Sequence, residues 1–348
     1  MLQAVLFVII LLIENQVMCM QKDRAQKRRD LKGRIMLIHI KNENETAAID
    51  TLGAELVSFM GDDGFEHIWQ GDKTYWGGHA PVLFPIVGAL RDNRTCINGE
   101  WYEMKRHGVA RHEEFTVTEQ GEDYVTLQLT ANEETKKQYP FDFVLTVSYY
   151  LTGSSITTKF TVKNADTKPM PFCIGGHPGF NIPIQSDEVF EDYDIVFEEK
   201  EDQKCPTLDM ESCLIDFEKT NFELDDTDTI PLQHSLFYRD ALVFENLNST
   251  CVSLKSRQSG RGVMMEFSGF PMLGIWSAAN DGPYVALEPW TGCATAVQED
   301  DVFEKKHGMR TLQSGEEAEY AYTVFEIQII KVRILYIVKA YRACPANG

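Results

Sequence analysis

The sequence has few basic residues and no apolar run long enough to cross a membrane as a helix. Its 348 residues include 33 Lys or Arg against 53 Asp or Glu, which gives a net charge of -20. Nucleic-acid binding requires clustered Lys and Arg on the phosphates, so we expect no nucleic-acid partner. The net charge does not argue against an uncharged ligand such as a sugar.

Several catalytic and metal-binding motifs are also missing. The eight cysteines are spread singly, with no CxxC pair and no Cys/His cluster at metal-ligand spacing. We therefore expect reduced thiols and no metal site, rather than a disulfide framework. There is no G-x-S-x-G elbow, so Ser-His-Asp hydrolysis is poorly supported. Long helical periodicity is absent between residues 36 and 320.

The two ends of the chain differ from the region between them. The apolar run Leu2–Ile13 resembles a signal-peptide core, but no Lys or Arg precedes it. We therefore favour a cytoplasmic location, with secretion as the alternative if Met1–Cys19 is a signal peptide. The stretch Lys22–Arg34 holds seven Lys or Arg and two Asp, which is typical of a solvated linker. We predict an N-terminal extension (1–35), one folded domain (36–329) and a C-terminal extension (330–348).

Short runs in the central region alternate apolar and polar residues, as half-buried antiparallel strands do. Ser155–Val162 is a good example, and Asn98-Gly99 predicts a tight hairpin turn. Further strand-like runs are Met36–Ile40, Thr46–Asp50, Tyr124–Leu129, Phe143–Leu151, Ala241–Phe244, Thr250–Leu254 and Glu319–Ile329. Many short strands joined by Gly, Asn and Asp turns predict an all-β protein built as a large sandwich.

Two motifs contain residues suited to acid–base chemistry. His177 lies in Gly175–Phe180, where two glycines and Pro178 hold it stiffly beside open space. Glu288 interrupts the apolar run Tyr284–Gly292, and such surroundings raise the pKa of a carboxyl group toward that of a general base. We interpret the flanking glycines as clearance for a sugar, Phe180 as cleft wall or core, and Trp290 as a stacking surface or core.

Two further clusters precede these motifs in the chain. Trp76–Gly88 is rich in Gly and Pro yet apolar, so we expect a buried turn that lines a cavity; its His79 is better explained by packing. The stretch from Arg91 to Arg111 includes Arg94 and His107, which the predicted hairpin would bring together. Arginine offers a rigid fork of donors for hydroxyls or an anion.

In this order the motifs resemble the aldose 1-epimerase (galactose mutarotase-like) family, and within it the LacX-type branch. The resemblance covers roughly residues 36–325. It is carried by Gly53-Ala54-Glu55-Leu56, Pro81–Gly88 with Asn93-Arg94, His107-Gly108-Val109-Ala110-Arg111, Gly176–Phe180, Phe270–Trp276 and Glu288–Gly292. It implies an antiparallel β supersandwich with an open sugar cleft. It also implies cofactor-free interconversion of the α and β anomers of a free aldose.

The resemblance also implies roles for individual residues. Glu288 would be the base on the anomeric hydroxyl and His177 the acid at the ring oxygen, with His107 assisting there. Asp240 and Arg94 would bind the substrate. A charged His177 would favour an anionic Glu288, so we expect the two pKa values to separate.

Departures from the family pattern leave alternatives open. The segment between Gly88 and Arg94 is one residue longer than in galactose mutarotases, so Arg91 is an alternative to Arg94. The His-Gly-x-x-Arg form at Arg111 also resembles hexose-6-phosphate epimerases, whose arginines bind the phosphate. A non-catalytic carbohydrate-binding module and, more weakly, a glycosidase with Asp240 as the second carboxylate are further alternatives. In each case the expected partner is a small sugar or a sugar polymer.

Overall fold

The computed structural model describes residues 36–328, which are almost entirely β-structure. A single turn of α-helix within this range spans Glu133–Lys136. The strands are β1 (Leu37–Lys41), β2 (Thr46–Asp50), β3 (Glu55–Met60), β4 (Val82–Leu83), β5 (Arg94–Ile97), β6 (Glu100–Glu103), β7 (Thr116–Gln120), β8 (Tyr124–Thr130), β9 (Phe143–Thr152), β10 (Ser155–Asn164), β11 (Met170–Phe172), β12 (Gly175–Gly176), β13 (Gly179–Asn181), β14 (Tyr193–Leu208), β15 (Ile215–Pro231), β16 (Leu242–Glu245), β17 (Cys251–Ser256), β18 (Gly262–Glu266), β19 (Met272–Trp276), β20 (Tyr284–Trp290), β21 (Arg310–Leu312) and β22 (Glu317–Ile327). The predicted terminal extensions lie outside the described residues.

The strands form two main antiparallel sheets. The larger has nine strands in the order β15-β14-β17-β18-β22-β10-β9-β8-β7. The smaller has six strands, in the order β16-β19-β20-β12-β4 with β13 also paired to β20. The remaining strands make one three-stranded sheet and two ribbons, and every pairing between named strands is antiparallel. The all-β, antiparallel prediction is confirmed.

Local sequence patterns explain the regular parts of this fold. In β10, Ile156, Phe160 and Val162 are buried while Lys159 between them is partly exposed, which matches the predicted alternation. The predicted hairpin at Asn98-Gly99 is confirmed, with φ values of 50° and 86° that suit a turn of left-handed residues.

The six-stranded sheet has one core face and one face turned away from the core. On β20, Val285 and Leu287 belong to the main hydrophobic core. The core also holds Tyr322 of β22, and a Cβ added at Gly176 would lie 2.7 Å from that ring, so the two sheets pack closely here. Glu288 and Trp290 alternate with these residues, so their side chains project from the opposite face.

The hairpin of β14 and β15 is the element that the sequence patterns did not predict. Its strands contain 16 and 17 residues and carry many exposed charges. Its tip, between Leu208 and Ile215, reaches the outer face of the six-stranded sheet, where both residues contact a small second hydrophobic cluster. Within residues 36–328, no helix is long and apolar enough to cross a membrane.

Candidate active site

A cleft of about 240 Å³ opens on the outer face of the six-stranded sheet. This volume is at the small end of ligand pockets and suits one small molecule. Its lining comprises Trp76, Val87, Gly88, Arg106, His107, Arg111, His177, Leu208, Ile215, Asp240, Ala241, Val243, Trp276, Glu288, Trp290, Cys293 and Ala294. Of the six predicted site residues, five meet here: His177, Glu288, His107, Asp240 and Arg111.

Sheet register brings the predicted acid and base together. The short strands β12 and β13 both pair with β20, through Gly175 opposite Trp290 and Gly179 opposite Ala286. The dipeptide His177-Pro178 lies in the gap between these pairings. Glu288 lies midway between Ala286 and Trp290, so the histidine is set directly beside it.

The pair is buried and incompletely hydrogen-bonded. His177 Nε2 lies 3.3 Å from Glu288 Oε2, and the side chains are only 9% and 2% exposed. Within the described residues, neither His177 Nδ1 nor Glu288 Oε2 has a hydrogen-bond partner. Buried polar atoms in folded proteins are normally hydrogen-bonded, so these groups are suited to a polar ligand.

Burial keeps both groups of this pair neutral. It lowers the pKa of His177 to about 3, and the charges of Arg111 and Arg106 act in the same direction. It raises the pKa of Glu288 well above its ordinary value; Asp240 adds to this effect and Arg106 opposes it. We expected the pKa of Glu288 to lie below that of His177, so that an anionic Glu288 would face a cationic His177. The two pKa values do separate, but the pKa of His177 is the lower one. Both shifts favour a neutral carboxyl group beside a neutral imidazole.

His107 is held in a strained turn with a defined tautomer. Its φ is 69°, and the next residue, Gly108, has a φ of 75°. The Gly88 N–H donates to His107 Nδ1 at 3.2 Å, and burial lowers the pKa of His107 well below its ordinary value. The neutral ring therefore carries its proton on Nε2 as a donor. Its centroid lies 5.7 Å from that of His177.

Asp240 is paired with an arginine that sequence reasoning missed. Arg106 Nη2 lies 3.3 Å from Asp240 Oδ2, while the Ala241 N–H donates to Asp240 Oδ1 at 2.8 Å. The signal available was position alone, because Arg106 directly precedes His107. This pair places one cation and one anion at the polar rim of the cleft.

Arg111 lies in a turn of 3-10 helix, Ala110–His112, that packs against Gly53. A Cβ added at Gly53 would lie 3.1 Å from the Arg111 carbonyl oxygen. The guanidinium is partly buried, and burial lowers its pKa. Within residues 36–328 its side chain makes no hydrogen bond or ion pair, so its donors face the cleft unpaired.

The structure places Arg94, which we predicted to bind substrate, outside the cleft. Arg94 is exposed on the hairpin, with its guanidinium carbon 4.8 Å from the centroid of the Trp101 ring. The alternative, Arg91, donates to Asp301 Oδ1 at 3.1 Å and to the Ala296 carbonyl at 3.2 Å. Neither arginine is among the cleft-lining residues.

Aromatic side chains form the walls beside the pair. Trp76 stacks on His177 with centroids 4.7 Å apart, and Trp276 meets the same ring edge-on at 5.5 Å. Trp76 comes from the loop predicted to line a cavity. His79 of that loop instead lies 3.7 Å from Glu55 Oε1, outside the cleft lining.

The glycines around His177 make room for aromatic side chains rather than for a ligand. A Cβ at Gly175 would lie 2.6 Å from Trp290 Cδ1, and one at Gly179 would lie 3.0 Å from Trp76 Cζ3. Phe180 is only 1% exposed and belongs to the core. Our interpretation of these glycines as sugar clearance is therefore wrong, although Trp290 does line the cleft.

Among residues 36–328, no group of three or more His, Cys, Asp or Glu side chains is arranged to hold a metal ion. The cysteines of this region, which include Cys173 and Cys293 beside the cleft, are free thiols. Burial raises the pKa of Cys293 to about 12, so its thiol is neutral.

Known proteins resemble this chain in sequence and in structure. A sequence model of the family described as aldose 1-epimerase matches residues 36–324. The plasmid form of protein LacX from Lactococcus lactis subsp. lactis is 40% identical over 277 residues, which cover 78% of this chain and 93% of LacX. The chromosomal form is 41% identical over 280 residues, with the same coverage.

Two solved structures from lactobacilli are also similar. A galactose mutarotase related enzyme from Lactobacillus acidophilus has a TM-score of 0.80 at 34% identity, covering 84% of this chain and 98% of that chain. A galactose mutarotase-like protein from Lactobacillus casei has a TM-score of 0.77 at 31% identity, covering 84% of this chain and 100% of that chain. The chain therefore belongs to the aldose 1-epimerase family, in its LacX-type branch.

Proposed function

We propose that this protein interconverts the α and β anomers of a free hexose by acid–base catalysed ring opening and closure, with Glu288 and His177 as the catalytic pair. The observation that carries the proposal is their contact at 3.3 Å inside a small cleft. Ring opening requires one proton to leave the anomeric hydroxyl and one to reach the ring oxygen. These two oxygens share the anomeric carbon, so an acid and a base in contact can serve both.

The proton count of the pair is suited to this reaction. The anionic carboxylate of Glu288 takes the proton of the anomeric hydroxyl while the imidazolium of His177 protonates the ring oxygen. The open-chain aldehyde is then bound beside a neutral carboxyl and a neutral imidazole. After rotation about the C1–C2 bond, the same transfers in reverse close the ring as the other anomer.

Burial favours a neutral Glu288 beside a neutral His177, and these are the protonation states that the pair has after ring opening in the proposed reaction. A neutral Glu288 with a neutral His177 holds one proton in total, as does an anionic Glu288 with a cationic His177. Moving that proton across the contact prepares the pair for a cyclic sugar. Because no net proton is gained or lost, the cycle requires no exchange with solvent.

The other polar groups are placed to orient the sugar. His107 offers its Nε2–H as a donor, and the Arg106–Asp240 pair offers a donor and an acceptor at the rim. Trp290 supplies an apolar surface on which one face of a pyranose can lie. We propose these residues, with Arg111, as the substrate-binding set, and leave Arg94 out.

Anomer exchange in freshly dissolved sugars tests the proposal. Polarimetry of α-glucose and α-galactose should give acceleration over buffer that is proportional to protein concentration, and the Glu288→Gln variant should lose it. No acceleration for any of several aldoses or hexose phosphates would contradict the proposal. Calorimetric sugar binding without exchange would instead indicate a carbohydrate-binding module.

A hexose-6-phosphate 1-epimerase is the second candidate. The observation in its favour is Arg111, whose partly buried guanidinium lines the cleft without a partner in residues 36–328. Against it, the charge of Arg106 is matched by Asp240, so one free guanidinium remains rather than a cluster. Including glucose 6-phosphate and galactose 6-phosphate in the same panel separates the two activities.

A further inference from the structure

The cleft has two unlike halves. One contains the catalytic pair and its polar neighbours. The other, which we call the apolar lobe, is lined by Leu208, Ile215, Ala241, Val243, Cys293 and Ala294. All six residues are more than nine-tenths buried in the folded chain, yet their surfaces face the cavity. An apolar lobe of this size is unexpected beside a ligand that carries hydroxyl groups all round.

Sheet register places the lobe on the same surface as the catalytic carboxyl. Glu288 pairs with Gly274 on β19, and Gly274 pairs with Val243 on β16. Paired residues share a face and neighbouring strands are about 4.8 Å apart, so Val243 lies about 10 Å from Glu288. Gly274 has no side chain, and the Trp290 indole fills that place, since a Cβ there would lie 2.4 Å from Cη2. Across the three strands, the sheet surface under the cleft therefore changes from the Glu288 carboxyl group to the Trp290 indole and then to the Val243 side chain.

The tip of the β14–β15 hairpin covers the lobe. Leu208 ends β14 and Ile215 begins β15, and the two residues are paired. The Ile215 N–H donates to the Thr295 carbonyl at 3.0 Å, and the Val297 N–H donates to the Ile215 carbonyl at 2.8 Å. These bonds attach the tip to the segment after β20 that contributes Cys293 and Ala294. The lobe is therefore an enclosed part of the cleft.

Two polar backbone groups beside the lobe are already hydrogen-bonded. The Ala241 N–H donates to Asp240, and the Cys293 carbonyl accepts a hydrogen bond from the Lys306 ammonium. The Cys293 thiol is a weak donor at best. A hydroxyl group placed in the lobe would give up its bonds to water without replacing them, which costs binding free energy. A methyl group placed there would lose nothing and would bury apolar surface.

We infer that the cleft selects sugars of the 6-deoxyhexose class, whose methyl group enters the apolar lobe; this inference rests on the proposed anomer exchange. The exocyclic carbon C6 is the one carbon substituent of a hexopyranose ring. It is attached to C5, which is bonded to the ring oxygen at His177, so it lies near the catalytic pair. The remaining hydroxyl groups then face the polar half, where Arg106, His107 and Asp240 can pair with them.

The test compares each 6-deoxy sugar with its parent hexose. Rates of anomer exchange are measured by NMR exchange spectroscopy for D-fucose and D-galactose, L-rhamnose and L-mannose, and 6-deoxy-D-glucose and D-glucose. We expect kcat/KM to favour the 6-deoxy sugar by about tenfold or more in at least one pair, as a hydroxyl group in an apolar pocket predicts. Val243→Thr keeps the side-chain shape but adds a hydroxyl group, so it should reduce this ratio. Val243→Ala, which adds none, should preserve its direction, and thermal unfolding shows that both variants fold.

The outcomes separate this inference from the proposed function. The inference is overturned if the parent sugar of every pair is exchanged as fast as its 6-deoxy partner or faster. It is also overturned if a hexose 6-phosphate is exchanged fastest. Neither result contradicts the exchange activity itself. A ratio that Val243→Thr does not change also overturns it. If no sugar is exchanged, the proposed function fails, and calorimetric binding of the same pairs decides the inference. Equal affinities, or no binding, would then overturn it.

Discussion

At the scale of single residues, the chemistry of the cleft depends on where one proton resides. Burial favours the neutral forms of Glu288 and His177, although their contact would stabilise the opposite charges. These two tendencies oppose each other, so the energy difference between the two proton positions is smaller than burial alone would give. A small difference suits a reversible reaction whose two end states differ in that proton position.

Replacing Glu288 with Gln removes the proton acceptor while keeping the shape of the side chain. We expect kcat to fall by about 10²–10⁴, the usual contribution of a general base. The unfolding temperature should not fall, because Glu288 is already neutral when buried. Polarimetry and calorimetry give the two readings. The control is Glu245→Gln on strand β16 of the same sheet, where the carboxylate contacts His307 at 3.0 Å, outside the cleft lining. A loss below about tenfold for Glu288→Gln would contradict its role as base.

Replacing Arg106 with Gln should move the pH profile of kcat/KM to higher pH. The Arg106 charge lowers the pKa of both His177 and Glu288, so its removal raises both values. The acid limb, which reports protonation of His177, and the alkaline limb, which reports ionisation of the pair, should therefore both shift upward. The exposed neighbour Lys105 provides the control as Lys105→Gln. An unchanged acid limb in Arg106→Gln would contradict this electrostatic coupling.

Sequence reasoning found the residues whose neighbours mark them, and missed those that only the fold brings in. His177 and Glu288 are recognisable because Gly, Pro and Trp surround them. The role of Arg94 was inferred from the family resemblance, and a hairpin sequence does not show which way its side chains point. Arg106 was missed because its partner, Asp240, lies 134 positions away in the chain. Distant pairs of this kind leave no local pattern.

At the scale of elements, the interruption between β12 and β13 is what aligns the proposed catalytic groups. Both strands are held to β20 by backbone pairing, and Leu287 N–H also donates to the Pro178 carbonyl at 3.2 Å. The separation of the two side chains is therefore set by main-chain hydrogen bonds rather than by a mobile loop.

Adding a methyl group at Gly274 tests how closely β19 and the Trp290 indole must pack. The new Cβ would lie 2.4 Å from the indole, so Trp290 must move. We expect Gly274→Ala to destabilise the fold by about 1–3 kcal/mol through overpacking, and to weaken sugar binding. Gly77→Ala is the control, because its nearest neighbour is the flexible Lys73 side chain at 3.3 Å. Denaturant unfolding of both variants gives the comparison, and equal stabilities would contradict the proposed packing.

A strand could be predicted from the sequence where one of its faces is buried and the other is exposed, because its residues then alternate between apolar and polar. β10 packs one face on the core, so its residues alternate and its limits were close to those predicted. The β14–β15 hairpin lacks such an alternation, since several consecutive residues after Phe197 are exposed and charged. Pairing between its own two strands, which show several register shifts, holds it together.

At the scale of the whole molecule, a second group of buried charges joins distant parts of the chain. Glu45 follows β1, His67 follows β3, and Glu326 lies near the end of β22. His67 Nε2 is 3.3 Å from Glu326 Oε1, and Arg261 Nη2 is 3.7 Å from the same atom. Burial, then the neighbouring Glu326 carboxylate, raises the pKa of Glu45 to about 8.

The contribution of Glu45 to the free energy of unfolding should therefore decrease as the pH rises from about 4.5 to about 8. Over that range the folded protein keeps a proton on Glu45 that the unfolded chain releases, so raising the pH favours unfolding. Glu45→Gln should remove this decrease and stabilise the protein at pH 8 by about 1–3 kcal/mol. Urea unfolding across the pH range measures it, with Glu43→Gln in the same turn as the exposed control. Parallel pH profiles for wild type and Glu45→Gln would rule out a titrating Glu45.

The β14–β15 hairpin also has a consequence for how the sequence of this protein can evolve. Its tip supplies Leu208 and Ile215 to the cleft, whereas the proton-transfer pair belongs to strands of the six-stranded sheet. Under the proposed function, substitutions at the tip should therefore alter which sugar is accepted and leave the proposed catalytic pair in place. Exchanging the short segment 208–215 between members of the family should transfer the preference for one sugar over another. It should leave the rate constant of the proposed anomer exchange unchanged. The two traits can be inherited, lost or engineered separately.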